Sequence, residues 1–193
     1  MTISAHTVSG RFEPVTCKEF NMAPNLPAYT YIPGHWPHPF KDAEGHSYGR
    51  EPAAPQNLDL KQWEPCEPYL RGIELFNAGY YWEAHEEWEG VWNLMGRHSL
   101  EGQHLQGLIK VAAAAIKIRQ GHAKPARSLL TQAAKHFERV IAKHPEKLAG
   151  GLHLSVLERW CRDYRDDVGE IRANPQLAVE IVVAPLKTHP ADS

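Results

Sequence analysis

Proline is distributed unevenly along this chain, and that distribution limits where helices can form. Ten of the fifteen prolines lie at or before Pro68. Each removes a backbone donor and pushes the residue before it toward extended geometry. Residues 1–64 are therefore not expected to form long helices. The same stretch nevertheless carries Tyr29, Tyr31, Ile32, Trp36, Phe40 and Trp63. Disordered tails hold few such groups, because they bury little apolar surface. The segment reads as an extended arm laid across a helical core, with roughly its first 20 residues loose. Docking of this arm would bury Trp36 and Trp63.

From Pro68 onward the apolar residues take up helical spacing. A short first helix is expected from about Tyr69 to Ala78, stopped by Gly79. A second runs from about Tyr80 to Met95, stopped by Gly96. A third runs from about Ser99 to Gln120, stopped by Gly121. Leu105, Leu108, Ile109, Ala112, Ala115 and Ile116 line one face of that third helix. Its small residues 111–115 allow a neighbouring helix to approach closely. The fourth helix opens near Pro125 and ends before Pro145. Its buried face is Ala126, Leu129, Leu130, Ala133, Phe137, Val140 and Ile141. The fifth opens on Ser155 and Glu158 as a capping box and ends before Pro175. Val179, Ile181, Val182 and Val183 suit either a short strand or a segment packed on the core. The expected fold is all-α: a compact antiparallel array of five helices with an extended Pro-rich N-terminal arm. Residues 1–64 form the arm, 65–174 the helical domain and 175–193 a C-terminal tail.

Charge and cysteine content exclude several function classes. The 193 residues carry 21 Lys plus Arg against 23 Asp plus Glu, a formal charge of −2. That balance argues against a nucleic-acid binder working through Lys110, Lys117, Arg119, Lys124, Arg127 and Lys135. No apolar run is long enough to span a membrane, and residues 1–10 lack the flank and core of a secretory signal. Cys17, Cys66 and Cys161 form neither a disulfide framework nor a zinc ribbon. A reduced cytoplasmic compartment is the expectation, and no neighbour activates any of the three thiols.

The candidate chemistry lies in Tyr80-Tyr81-Trp82-Glu83-Ala84-His85-Glu86-Glu87-Trp88-Glu89-Gly90-Val91-Trp92. On a helical wheel with His85 at 0°, Trp92 falls at about −20°, Tyr81 at about −40° and Trp88 at about −60°. Glu89 falls at about +40° and Trp82 at about +60°. His85 is thus placed in the middle of an aromatic stripe, with Glu89 inside its border. Glu86 lies on the flank. Glu83 and Glu87 fall near 160° and read as solvent-face charges. A carboxylate within an apolar stripe is costly unless paired or metal-bound. Two readings follow. In one, His85 and Glu89 bond one another and Arg119, central on the third helix, pairs with Glu89 in the interior. In the other, His85 and Glu89 at i, i+4 hold a divalent metal, with Glu86 as third ligand or general base. The pattern is H-E-x-x-E and lacks the second histidine of the zincin motif. Three histidines of the arm, His35, His38 and His46, could complete such a site. The plainer reading is that Trp36 and the surrounding prolines dock the arm by a turn.

Two stretches carry a family resemblance. One is Phe76-Asn77-Ala78-Gly79 through Ala84-His85-Glu86 to Glu89 and Trp92. The other is Gln106-Gly107-Leu108-Ile109, followed by Gly121-His122. Together they resemble, over residues 73–133, a family catalogued as domain of unknown function 309. The family commonly has asparagine where this chain has His122. The P-G-H-x-P-H-P and E-G-H-S segments of the arm look like an extension found in longer members. The resemblance implies a compact all-α fold and no established activity. It implies His85, Glu86, Glu89 and Gln106 as a shared polar set. From the wheel and the helix stripes, Arg119, Trp88 and Trp92 are the expected supporting or ligand-contacting residues around it.

The leading functional expectation is a metal-assisted, hydrolytic enzyme using His85, Glu89 and Glu86. The alternative is a non-catalytic helical module that holds a small molecule or protein partner on its aromatic face, with no nucleic-acid or membrane partner.

Overall fold

The computed structural model describes residues 26–51, 54–144 and 148–189. Cys17, the first stretch of the arm and Pro145 lie outside the described residues. Five helices follow one another: α1 Glu67–Asn77, α2 Tyr81–Trp92, α3 Leu100–Arg119, α4 Ala123–Ile141 and α5 Leu154–Asp167. Each packs on its neighbour in sequence, so the short connections produce an array of adjacent pairs. A small antiparallel hairpin, β1 Leu148–Ala149 with β2 Leu152–His153, leads directly into α5.

Two glycines make the α1–α2 pairing close. Gly79 ends α1 at φ +88°, a conformation that side chains with a Cβ rarely adopt. Further back in α1, a Cβ at Gly72 would sit 2.2 Å from Trp88 Nε1. Glycine there lets the Trp88 ring lie flat against α1, where its indole N–H donates to Tyr69 O at 3.2 Å. Trp88, Tyr81, Phe76, Tyr69, Leu105, Leu108 and Phe137 are all fully buried and form the centre of the core.

The small-residue run of α3 behaves as the spacing implies, with Val111, Ala112, Ala114 and Ala115 buried. Ser99 caps α3 by accepting from the Gly102 N–H at 2.9 Å. Three local expectations need correction. The last residues before Gly96 leave the α-helix and continue as tighter turns, with Leu94 N–H donating to Val91 O and Met95 N–H to Trp92 O. α5 is capped at His153 without a side-chain bond, because the hairpin already delivers the chain at the helix start. Its Glu158 is therefore free to pair with Arg162 one turn on. α5 also ends at Asp167, well short of Pro175.

The arm and the tail bury much of the remaining apolar surface. Ile32, Leu58, Leu60 and Trp63 join the core. Trp36 is only half-buried; it stacks on Tyr29 at 5.0 Å and donates its indole N–H to Pro175 O at 3.1 Å. Residues 170–189 form no strand. They run back over α1 to α3, burying Val183 and Leu186 while Ile181 stays exposed. Asn77 fixes the end of this path, accepting from Leu186 N–H at 2.7 Å and donating to Leu186 O at 2.9 Å. Among the described residues no helix is long and apolar enough to cross a membrane.

Candidate metal centre on the second helix

α2 carries two polar faces, and the arm separates their fates. The fully buried line is Tyr81, Ala84, Trp88 and Val91. His85 lies at the margin of that line, not at its middle, because the line is centred on Ala84 and Trp88. Its side chain is 23% exposed, against 40% for Glu86 and 44% for Glu89. Half-buried Trp92 borders it, with the Arg97 guanidinium over the ring at 5.6 Å.

Within this margin His85 Nδ1 stands 3.4 Å from Glu86 Oε1 and 3.9 Å from Glu89 Oε2. One donor atom from each of the three residues lies within 4.8 Å of the others. An ion held tetrahedrally at about 2.1 Å from each ligand needs donor separations of about 3.4 Å, so small rotamer changes suffice. His85 Nδ1 is itself shielded from water and has no hydrogen-bond partner. A buried polar atom without a partner is costly, and here two carboxylates face it. The triad can hold a divalent cation.

The other expected members lie elsewhere. Arg119 is fully buried, as its position implied, yet it does not pair with Glu89. Its Nε is 3.3 Å from Glu180 Oε2, and its Nη2 donates to Leu177 O at 2.7 Å and Asn174 O at 3.1 Å. The tail folds back over α3 and brings its own carboxylate, leaving Glu89 outside at the surface. Burial lowers the guanidinium pKa, with Glu180 acting against that shift. Trp88 is a core residue. Gln106 is half-buried on α3 and bonds none of the three triad residues among those described. His35 is exposed and meets Gln176 at 3.1 Å. The His38 ring packs on Trp82 at 5.5 Å and on Tyr31 at 5.0 Å. His46 meets Glu83, at 3.1 Å. The arm histidines thus serve its docking.

Glu83 is the largest departure from the wheel. It is buried at 7% exposure, not solvent-facing. Its carboxylate accepts from Thr30 Oγ1 at 2.7 Å and from Tyr31 N–H at 2.9 Å, besides His46. Glu87 on the same side is half-buried, and burial raises its carboxyl pKa although Arg71 opposes the shift. A wheel describes one helix alone, whereas this face is covered by a segment some 50 residues upstream. The aromatic and histidine content of the arm was the only signal that something would cover it.

Residues 69–129 match the family described as domain of unknown function 309. The match begins in α1, ends within α4 and contains the whole triad together with Glu83. It leaves out the arm, α5 and the tail. No curated protein matches the chain.

Proposed function

We propose that the protein is a metal-assisted hydrolase whose centre is His85, Glu86 and Glu89. The observation that carries this reading is the unpartnered, shielded His85 Nδ1 with two carboxylates converging on it. His85 and Glu89, one helical turn apart, are the ligands. Two or three donors from one helix face would leave open positions on an ion held here, which catalysis requires and a structural site lacks. A bound divalent ion supplies Lewis acidity toward a substrate oxygen and lowers the pKa of coordinated water. Glu86, more exposed than His85 and 3.4 Å from its Nδ1, serves as the base. It accepts a proton from the attacking water and returns it to the leaving group as the scissile bond breaks.

Nucleic acid is not the substrate in this reading, because the net charge is −2 and Arg119, the most central of the candidate cations, is spent in the interior. Cys66 and Cys161 take no part in this reading; both are buried thiols, and burial raises both pKa values. The cytoplasm, where thiols stay reduced, is the proposed location.

Turnover of chromogenic carboxylic and phosphoric esters by the metal-loaded protein tests the assignment. Glu86→Gln is expected to lower the rate by about 10²-fold or more while leaving His85 and Glu89 to hold the ion. Equal rates for wild type and Glu86→Gln on every ester tested would refute it.

A further inference from the structure

The E-G-H-S segment of the arm holds one contact that docking does not account for. His46 Nε2 lies 3.1 Å from Glu83 Oε1, which joins the arm to α2. On the other side of the ring, His46 Nδ1 lies 2.9 Å from Ser47 Oγ. That contact links two neighbours in the chain and adds nothing to the junction with α2. Together the three side chains form a continuous line from hydroxyl to imidazole to carboxylate.

The bonds around this line set its proton order. An ionised carboxylate only accepts, so Nε2 carries the ring proton and donates it to Glu83. The neutral ring then has a bare Nδ1, and the Ser47 hydroxyl donates to it. A hydroxyl bonded to an imidazole, whose far nitrogen is held by a carboxylate, is the arrangement that activates a serine as nucleophile. The surroundings keep the line in place. The side chains of His46 and Glu83 are each 8% exposed, and Thr30 Oγ1 and Tyr31 N–H anchor the carboxylate at 2.7 Å and 2.9 Å. The His46 ring meets the Tyr29 ring edge-on at 4.8 Å. Ser47 N–H donates to Pro39 O at 3.1 Å, and Ser47 O accepts from Arg50 N–H at 3.1 Å. A Cβ at Gly45 would lie 2.4 Å from Pro39 O, so glycine there lets this turn close. Ser47 is half-buried, and Tyr48 and Gly49 beside it are exposed. The base is thus shielded while the hydroxyl is within reach of solvent.

We infer that Ser47 is a catalytic nucleophile toward acyl esters, with His46 as its general base and Glu83 as the positioning residue that holds the ring. Ser47 Oγ bonds to the carbonyl carbon as its proton passes to His46 Nδ1. The bond to the leaving alcohol breaks, and that alcohol takes the proton from Nδ1. Water then attacks the acyl group and gives a proton to Nδ1. The bond from Oγ to the acyl carbon breaks as Oγ recovers that proton. The cycle consumes ester and water and needs no ion, so it goes beyond the metal-centre reading and does not rest on it.

Diisopropyl fluorophosphate reads the first half of this cycle: the bond from Oγ to phosphorus forms, the P–F bond breaks and fluoride leaves. Incubated with the full-length protein and a chelator, it is expected to label Ser47, located by peptide mass spectrometry. Ser47→Ala should lose that label. His46→Gln keeps a donor for Glu83 and should slow labelling by about 10²-fold or more. Glu83→Gln should lower the limiting rate constant of labelling at least about tenfold. The half-saturating probe concentration should stay unchanged there, a split that loosened docking alone would not give. Imidazole ¹⁵N spectra of the wild type at neutral pH should show His46 protonated on Nε2 and bare on Nδ1. Three results would overturn the inference: no label on Ser47 in the wild type, undiminished labelling of His46→Gln, or a proton on His46 Nδ1. Labelling is read with the chelator present, so failure of the metal centre and failure of Ser47 are seen separately.

Discussion

Glu83 Oε1 lies 3.1 Å from His46 Nε2, and the two residues are 37 positions apart in the chain. The contact joins the arm to the helix that carries the candidate metal centre. Thr30 Oγ1 and Tyr31 N–H donate to the same carboxylate. Glu83→Ala would leave the Thr30 hydroxyl and the Tyr31 N–H buried without an acceptor. The expected loss is about 3 kcal/mol, from two unsatisfied groups at 1–3 kcal/mol each. Urea denaturation reads the loss, and amide exchange should quicken at Tyr31 while α3 stays protected. Unchanged exchange at Tyr31 would show that the arm is held by apolar contacts alone.

Arg119 ties the tail to α3. Arg119→Met is expected to cost about 2–3 kcal/mol, because it removes a charge-assisted donor from Glu180 and from the Asn174 and Leu177 carbonyl groups. Combined with Glu180→Met, the losses should be markedly non-additive. Combined with Glu89→Met they should add to within about 0.5 kcal/mol, because Glu89 is not a partner. Equal coupling to both glutamates would contradict the observed pairing.

Gly72 accommodates the Trp88 ring. Gly72→Ala places a methyl group where the indole lies. The helix gains intrinsic propensity, yet the overpacking should cost about 1–3 kcal/mol net. The Trp88 side chain should shift as well, seen as altered tryptophan fluorescence. A stabilised variant with unchanged emission would mean that the α1–α2 contact is looser than described.

Stability should depend on pH through His104. It is fully buried, its Nε2 bonded to the Tyr69 hydroxyl at 2.9 Å, and burial lowers its pKa to about 3. In the unfolded chain its pKa is near the usual 6.5. Between these values the unfolded state binds the extra proton, so folding stability rises with pH. The contribution is fully present above about pH 6.5 and is lost as pH falls toward 3, at up to about 1.4 kcal/mol per pH unit. His104→Gln keeps a donor for Tyr69 and should flatten the difference between denaturation midpoints at pH 5 and pH 7. An identical slope in the variant would remove His104 as its source.

The helices were readable because their punctuation is local. Gly79 and Gly121 end helices where the spacing ends, and Ser99 caps α3 by its own hydroxyl. The fate of Glu83 was not readable, because its burial depends on a segment that a wheel does not contain. The partner of Arg119 was hidden for the same reason. Its place at the centre of the α3 stripe showed that it needed a carboxylate, and Glu89 was the one the helix spacing offered. Only the path of the tail past Asn174 and Leu177 selects Glu180 over Glu89. The triad itself was legible, since His85, Glu86 and Glu89 share one helical turn and need no long-range contact to meet.

The most direct measurement of the central claim is calorimetric titration of zinc, manganese and iron(II) into untagged wild type, His85→Ala and Glu89→Gln at two pH values. The account predicts a single site in the wild type, lost in His85→Ala and strongly weakened in Glu89→Gln, which keeps the shape but not the anionic ligand. Affinity should fall at the lower pH, because a ligating imidazole must be neutral. Absence of binding in the wild type, or equal binding in all three proteins, would contradict it.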